Sequence, residues 1–299
     1  MYQAFCGLRE PPFELTPNPK FLYFSPRHRE ALSILEYGLA AAKSLTVLLG
    51  DVGTGKTTLI KAALESERCR HVHCITISNP ALRRDEFLTI LAARCGLSPD
   101  AGRSKGVLLD ELERVLASRR ERGEVVALVV DEAQSVEIEL LEEIRLLSNL
   151  ETASEKLLPL VLAGQPEFAE RLEDPSLRQV KQRIALRCEL SRFELADTAA
   201  CIAHRITMAG GTPSELFTLE AVTLIHEIAR GIPRTISVLC DNALVCAMAQ
   251  DRKPVDQLMV LEVAKDLNFA APHLPPAPPQ ASESYLAVPN RFSLFRRAW

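Results

Sequence analysis

Over the first 190 residues, short apolar runs alternate with longer stretches in which apolar residues recur every three or four positions. That alternation predicts a parallel sheet wrapped by helices. Strands are expected near Leu45–Gly50, Val72–Ile77, Val125–Asp131, Leu158–Ala163 and Ile184–Leu190. The third is apolar throughout before Asp131, the pattern of a strand covered on both faces. Helices are expected near Arg27–Ala42, Lys56–Ser66, Arg84–Cys95, Ser104–Glu121 and Val136–Leu150. In the last, Leu140, Ile144, Leu147 and Leu150 make one apolar stripe, which turns Glu142, Glu143 and Arg145 outward.

After Leu190 the strand signals stop. Leu195, Ala199, Ile202 and Ile206 mark an amphipathic helix closed by Gly210–Gly211. Phe217–Ala229, the stripe Ile232, Ile236, Leu239, Ala243 and Ala247, and Val255–Leu267 give three more, so a helical bundle is expected over 191–269. No internal repeat is present. The stretch 271–280 carries prolines at 272, 275, 276, 278 and 279 and cannot continue a helix or a strand. Residues 270–299 are therefore expected to be a disordered tail. Its basic and aromatic end, Arg291–Trp299, has an alternative reading as a docking peptide for a partner or a membrane surface.

A net charge of -4 gives no global attraction to nucleic acid. Arginines cluster at Arg83–Arg84, Arg119–Arg122 and Arg178–Arg187, but acidic neighbours make mixed solvated faces of them. Eight cysteines lie mostly in apolar segments with no Cys-x-x-Cys pair, the usage of a reducing compartment. Cys69, His71 and His73 would share one face of a strand, where they are more readily structural than metal-ligating. The amino terminus lacks a signal-peptide pattern and no apolar run spans a bilayer. The expected location is cytoplasmic, with membrane association only peripheral, through a partner or the tail.

Chemistry concentrates at two places. Gly50-Asp-Val-Gly-Thr-Gly-Lys-Thr57 fits G-x-x-x-x-G-K-[ST] between a strand and a helix. Glycines at 50, 53 and 55 let successive amides of Val52, Thr54, Lys56, Thr57 and Thr58 face phosphate oxygens at a helix N-terminus. Lys56, expected to stand exposed in the loop, reaches the terminal phosphates of ATP, and Thr57 offers its hydroxyl to Mg²⁺. Roughly 75 residues on, Leu128-Val-Val-Asp-Glu-Ala-Gln134 ends a buried strand with an acidic pair. Asp131 suits the surroundings of Mg²⁺, and Glu132 can polarise the attacking water. The two motifs define the expected fold class: α/β, a three-layer αβα P-loop sandwich on a five-stranded parallel sheet, then an all-α lid. Domain boundaries are expected at 1–190, 191–269 and 270–299.

With the trailing bundle, these motifs resemble the AAA+ ATPases, and among them the ExeA/GspA-type ATPases of the general secretion pathway. TniB/TnsC-type transposition ATPases and the ATPases of exopolysaccharide export are relatives of that group. The resemblance runs over about residues 5–250 and includes 5–17, 21–28, Leu162-Ala-Gly-Gln-Pro-Glu167, Leu177–Arg183 and Gly231-Ile-Pro-Arg234. It implies that Gln165 is the polar sensor of the γ-phosphate. It also implies that Arg183, with Arg178 as the alternative, is a finger offered to a neighbouring subunit's nucleotide. Arg234 would contact phosphate within its own subunit, and Thr16, Tyr23 and His28 would border the adenine. Plainer readings stand beside these: a turn cap for Gln165, a helix-start residue for His28, surface charges for the arginines. ExeA-type proteins continue into a membrane span and a peptidoglycan-binding domain; this sequence ends after its Pro-rich tail, so wall binding is not expected. The resemblance implies a homo-oligomeric ATPase acting on protein components of a secretion or export machine. A DNA-dependent transposition regulator, or a nucleotide switch with negligible turnover, are the alternatives.

Overall fold

The computed structural model describes residues 1–16, 18–78, 82–153 and 155–269. The expected tail, with its possible docking peptide, lies outside them. The chain opens with a short helix, α1 (Tyr2–Cys6), before entering the sheet-bearing unit, residues 26–191. That unit runs α2 (Pro26–Ala40), β1 (Leu45–Gly50), α3 (Lys56–Glu65), β2 (Val72–Ile77), α4 (Arg84–Cys95) and α5 (Lys105–Glu121). It continues with β3 (Val125–Val130), α6 (Ile138–Leu147), β4 (Leu160–Gly164), α7 (Pro166–Arg171), α8 (Arg178–Lys181) and β5 (Leu186–Leu190).

All four strand pairings are parallel and the order is β2-β3-β4-β1-β5. Every residue of β1, β3 and β4 is buried, so helices cover both faces of the central sheet. The long helices begin and end within a few residues of where periodicity puts them. The short α7 was not legible, because six residues carry too little periodicity; it starts where Pro166 supplies a preset φ at the first helical position.

One outward charge was misplaced. Glu143 is 8% exposed and accepts from Lys105 Nζ at 2.8 Å and Arg84 Nε at 2.8 Å. The apolar stripe of α6 is correct, but α4 and α5 reach over its flank, and their cations make burial of a carboxylate possible. Cys69, His71 and His73 do not share one strand face. β2 starts at Val72, so Cys69 and His71 precede the strand, and Cys69 is buried with its thiol on the Glu36 carbonyl. Among the described residues no three His, Cys, Asp or Glu side chains are grouped to hold a metal.

The second unit comprises residues 1–25 and the chain from Arg192 onward. Its helices are α9 (Leu195–Met208), α10 (Pro213–Leu216), α11 (Leu219–Ala229), α12 (Pro233–Ala249) and α13 (Gln257–Asp266). The opening residues, expected with the sheet, belong here instead. Tyr2, Cys6, Leu8, Phe13 and Phe21 are buried in the same apolar cluster as Ile202, Ile206, Phe217 and Leu239. Polar ties reinforce that packing: Tyr2 Oη donates to Asp241 at 2.6 Å, and Arg205 donates to the Pro12 carbonyl at 3.0 Å. Contacts hundreds of residues apart leave no periodic trace, which is why the boundary was set wrongly.

Gly231, in the Gly-Ile-Pro-Arg motif, has φ +70°, and a Cβ there would lie 2.1 Å from the Phe193 carbonyl oxygen. The two residues are also joined by Phe193 N–H donating to the Gly231 carbonyl at 2.8 Å. Gly231→Ala should therefore destabilise the helical unit by about 2 kcal/mol or more. Urea unfolding followed by circular dichroism measures it; an unchanged midpoint would show that the backbone can shift at no cost.

Candidate nucleotide-phosphate site

The site forms at the carboxyl ends of β1, β3 and β4, where three loops meet. Leaving β1, the chain turns through Gly53 (φ +80°) and Gly55 (φ +101°) and enters α3 at Lys56. Only these left-handed glycines let consecutive amides point to one side, at the positive end of a helix. Thr54 Oγ1 closes the turn by donating to the Asp51 carbonyl at 2.8 Å. His28, at the start of α2, supports it from outside: its buried Nε2 lies 3.0 Å from the Thr54 carbonyl. A carbonyl only accepts, so Nε2 carries the proton. Val52 projects from the turn, Gly50 ends β1, and Thr58 is half-buried in the first turn of α3.

Lys56 departs from expectation. It is 6% exposed, and its ammonium donates to the carbonyls of Gly50 at 2.7 Å and Asp51 at 3.1 Å. The helix starts on this residue, so its stem runs back along the sheet end and not out of the loop. Burial lowers the Lys56 pKa, opposed in order by Glu132, Asp131, Asp51 and Glu167.

Asp131 and Glu132 leave β3 one strand away from β1, with β4 between them. Asp131, 7% exposed, accepts from Thr57 Oγ1 at 2.7 Å and from the Glu132 amide at 2.9 Å. Thr57 and Asp131 thus present adjacent hard oxygens, a donor set that suits Mg²⁺. The charge count agrees. Glu132, Asp131, Asp51 and Glu167 all act electrostatically on the one ammonium, an excess of negative charge that a divalent cation would offset.

Glu132 is held in the left-handed region (φ 55°, ψ 41°), which for a non-glycine residue costs about 1–2 kcal/mol. This turn aims its carboxylate at Gln134 Nε2, 2.6 Å away, and Gln165 Nε2, 3.2 Å away, both donating to Oε2. The Gln134 contact is the largest influence lowering the Glu132 pKa, ahead of the opposing burial and of Gln165 and Lys56. Gln165 follows β4 directly, so the strand order sets it between the phosphate loop and the acidic pair.

Lys56, Thr57, Asp131, Glu132 and Gln165 are therefore brought together, whereas Arg183 is not. Arg183 is exposed in the turn before β5, its carbonyl accepting from Ser44 ahead of β1. That is the opposite edge of the sheet, about 15–20 Å from the phosphate loop at the usual rise of a six-residue strand. Arg178 is likewise exposed, at the start of α8. Arg234 is exposed at the start of α12, in the helical unit. Of the residues expected at the adenine, His28 touches the phosphate loop. Tyr23 packs edge-on against Phe193, 5.7 Å between centroids, and donates to Asp197 at 3.3 Å, while Thr16 is exposed. Sequence reasoning gave Gln134 and Arg171 no role; Gln134 stands inside a motif already singled out, and Arg171 carries no local signal.

The order β2-β3-β4-β1-β5, with a phosphate loop after β1 and an acidic pair after β3, is decided further by comparison: residues 40–172 match the AAA domain family. This stretch is an AAA domain. The chain is similar to General secretion pathway protein A of Aeromonas hydrophila, 40% identical over 250 residues, or 84% of this chain and 45% of that protein. It is also similar to the ATP-dependent target DNA activator B of Escherichia phage Mu, 31% identical over 205 residues, 67% of this chain and 58% of that protein. The chain thus spans about half the length of the curated relatives it matches. Among solved structures, Cdc6p from Pyrobaculum aerophilum aligns with a TM-score of 0.65 at 20% identity, over 85% of this chain and 70% of that one. Likeness at that identity speaks for the fold alone. The AAA domain places its phosphate loop around one buried ammonium, which generates a direct test. Lys56→Met keeps the aliphatic stem and removes the charge. Its melting temperature should stay within about 3 °C of wild type. Its Kd for ATP should rise at least about tenfold, since hydrogen bonds to a charged group contribute roughly 1.5–3 kcal/mol. Calorimetric titration would count against the site if affinity were unchanged.

Proposed function

We propose that this protein is a Mg²⁺-dependent ATPase of the AAA+ type. It works as a homo-oligomer, coupling its nucleotide state to assembly or remodelling of a secretion or envelope-export machine. The observation that carries the ATPase reading is the convergence of Lys56, Thr57, Asp131, Glu132 and Gln165 on one sheet edge. The phosphate-loop amides and Lys56 hold the triphosphate, and Thr57 with Asp131 would hold Mg²⁺, which supplies charge neutralisation on the phosphate oxygens. Glu132 accepts the proton of the attacking water, and the Gln165 amide orients that carboxylate and senses the terminal phosphate. Arg183, on the far edge of its own sheet, reaches a nucleotide only from a neighbouring subunit. Arg234, by resemblance to the AAA+ ATPases, is a further candidate phosphate contact.

The biological setting rests on similarity to General secretion pathway protein A, together with the acidic balance of the chain. The second reading, a DNA-dependent transposition ATPase, rests on similarity to the phage Mu target DNA activator.

Glu132→Gln should bind ATP but turn it over about 10²-fold or more slowly, measured as phosphate release; turnover near wild type would remove Glu132 from the mechanism. Mixing Glu132→Gln with Arg183→Ala should restore activity above either variant alone, because some interfaces then contain both an intact carboxylate and an intact finger. If subunits exchange and the mixture gives only the average, Arg183 does not act across the interface. Duplex DNA should neither stimulate turnover nor bind in a steeply salt-dependent way at physiological ionic strength. A several-fold, salt-sensitive stimulation would exchange the two readings.

A further inference from the structure

Gln134 makes three contacts in three directions. Its Oε1 accepts from the Gln165 backbone N–H at 3.0 Å, and its Nε2 donates to Glu132 Oε2 at 2.6 Å. Its backbone carbonyl accepts from Arg171, whose other guanidinium nitrogen donates to the Val136 carbonyl at 2.9 Å. The amide orientation follows from chemistry. A backbone N–H only donates, so the oxygen must face Gln165, and the nitrogen is left for the carboxylate. With Gln165 Nε2 on the same oxygen, Glu132 Oε2 is pinned by two donors, while Oε1 has no hydrogen bond among the described residues.

We propose that Gln134 is a positioning residue for hydrolysis: a two-ended amide clamp that ties Glu132 to the tip of β4 and leaves one carboxylate oxygen to receive the water proton. Two features make the clamp necessary. The Glu132 backbone sits in a left-handed conformation that no glycine relieves, so an unrestrained side chain would leave the productive rotamer. The carboxylate also emerges beyond the end of β3, where no strand neighbour fixes it. Arg171, projecting from α7, braces the backbone of the clamp itself. Because α7 and Gln165 both follow β4, the clamp moves with the strand that lies between the phosphate loop and the acidic pair.

The inference rests on Glu132 as the water-polarising group, and its test separates the two. Gln134→Met keeps length and volume but removes both amide contacts. Gln134→Glu keeps an acceptor for the Gln165 N–H, loses the donor and adds a negative charge beside Glu132. Both are compared in the full chain with Glu132→Gln and with the double variant Glu132→Gln/Gln134→Met. ATP Kd is measured by titration and hydrolysis by single-turnover phosphate release. Gln134→Met and Gln134→Glu should bind ATP within about threefold of wild type while the hydrolysis rate falls about 10- to 10²-fold, the scale of a misplaced catalytic group. In the Glu132→Gln background, Gln134→Met should change the residual rate less than about twofold, because the group it positions is already gone. Wild-type turnover in Gln134→Glu would overturn the clamp while leaving Glu132 in place. An equal, multiplicative loss in the double variant would also overturn it, since Gln134 would then act independently. If Gln134→Met does not fold, Gln134→Glu is compared in the wild-type and Glu132→Gln backgrounds, and an equal loss in both overturns the clamp. Rapid turnover in Glu132→Gln itself would overturn the underlying reading, and the clamp with it.

Discussion

An ammonium group taken out of water is the constraint around which this AAA domain is arranged. A buried charge is tolerated only when hydrogen-bonded and compensated. Lys56 meets both conditions through two main-chain carbonyls of its own loop and a surround of four carboxylates. The carbonyls of Gly50 and Asp51 can face inward only if the chain turns through left-handed residues immediately afterwards, as it does at Gly53 and Gly55. The carboxylates can gather there only if β3 ends level with β1. One desolvated cation is thus matched by the shape of the loop and by the acidity of the neighbouring strand end.

The strand order carries the next consequence. β4 lies between β1 and β3, so the phosphate loop and the acidic pair are not on adjacent strands. The residue leaving β4 is therefore the natural bridge, and Gln165 fills that place twice over. Its side chain reaches Glu132 and its backbone N–H reaches Gln134. Arg183 stands at the other end of the same sheet, beside Ser44. Parallel strands necessarily present their two ends to different surroundings, one to the chain's own phosphate site and one to whatever adjoins it.

The helical unit has its own logic. Its core is closed by the first 25 residues, whose aromatic side chains Tyr2, Phe13 and Phe21 enter the cluster of α9, α11 and α12. Amphipathic helices alone would leave that surface wet. Gly231 lets the chain approach the Phe193 carbonyl so closely that no side chain fits between them. The glycine of the Gly-Ile-Pro-Arg motif is thereby explained by packing, separately from any role of Arg234.

The sequence by itself determined what depends on contiguous residues. Period-3.6 and all-apolar segments located the long helices and the strands, because backbone geometry and amphipathicity are set within a dozen residues. The glycine spacing from 50 to 57 and the acidic pair at 131 and 132 were legible for the same reason. Only the tertiary structure decided what those segments face. Lys56 looked like a loop residue until β1 and α3 buried its stem, and Glu143 looked solvent-facing until Arg84 and Lys105 arrived from other helices. The opening residues were assigned to the sheet because they precede it, yet their aromatic side chains pack 200 residues downstream. Gln134 had no meaning in sequence because both ends of its amide are used, and one partner, 31 residues away, follows a different strand. Local pattern fixes the element and the direction of a side chain relative to its own axis. Burial and hydrogen-bond partners come from crossovers that bring distant elements together, and no periodicity records them.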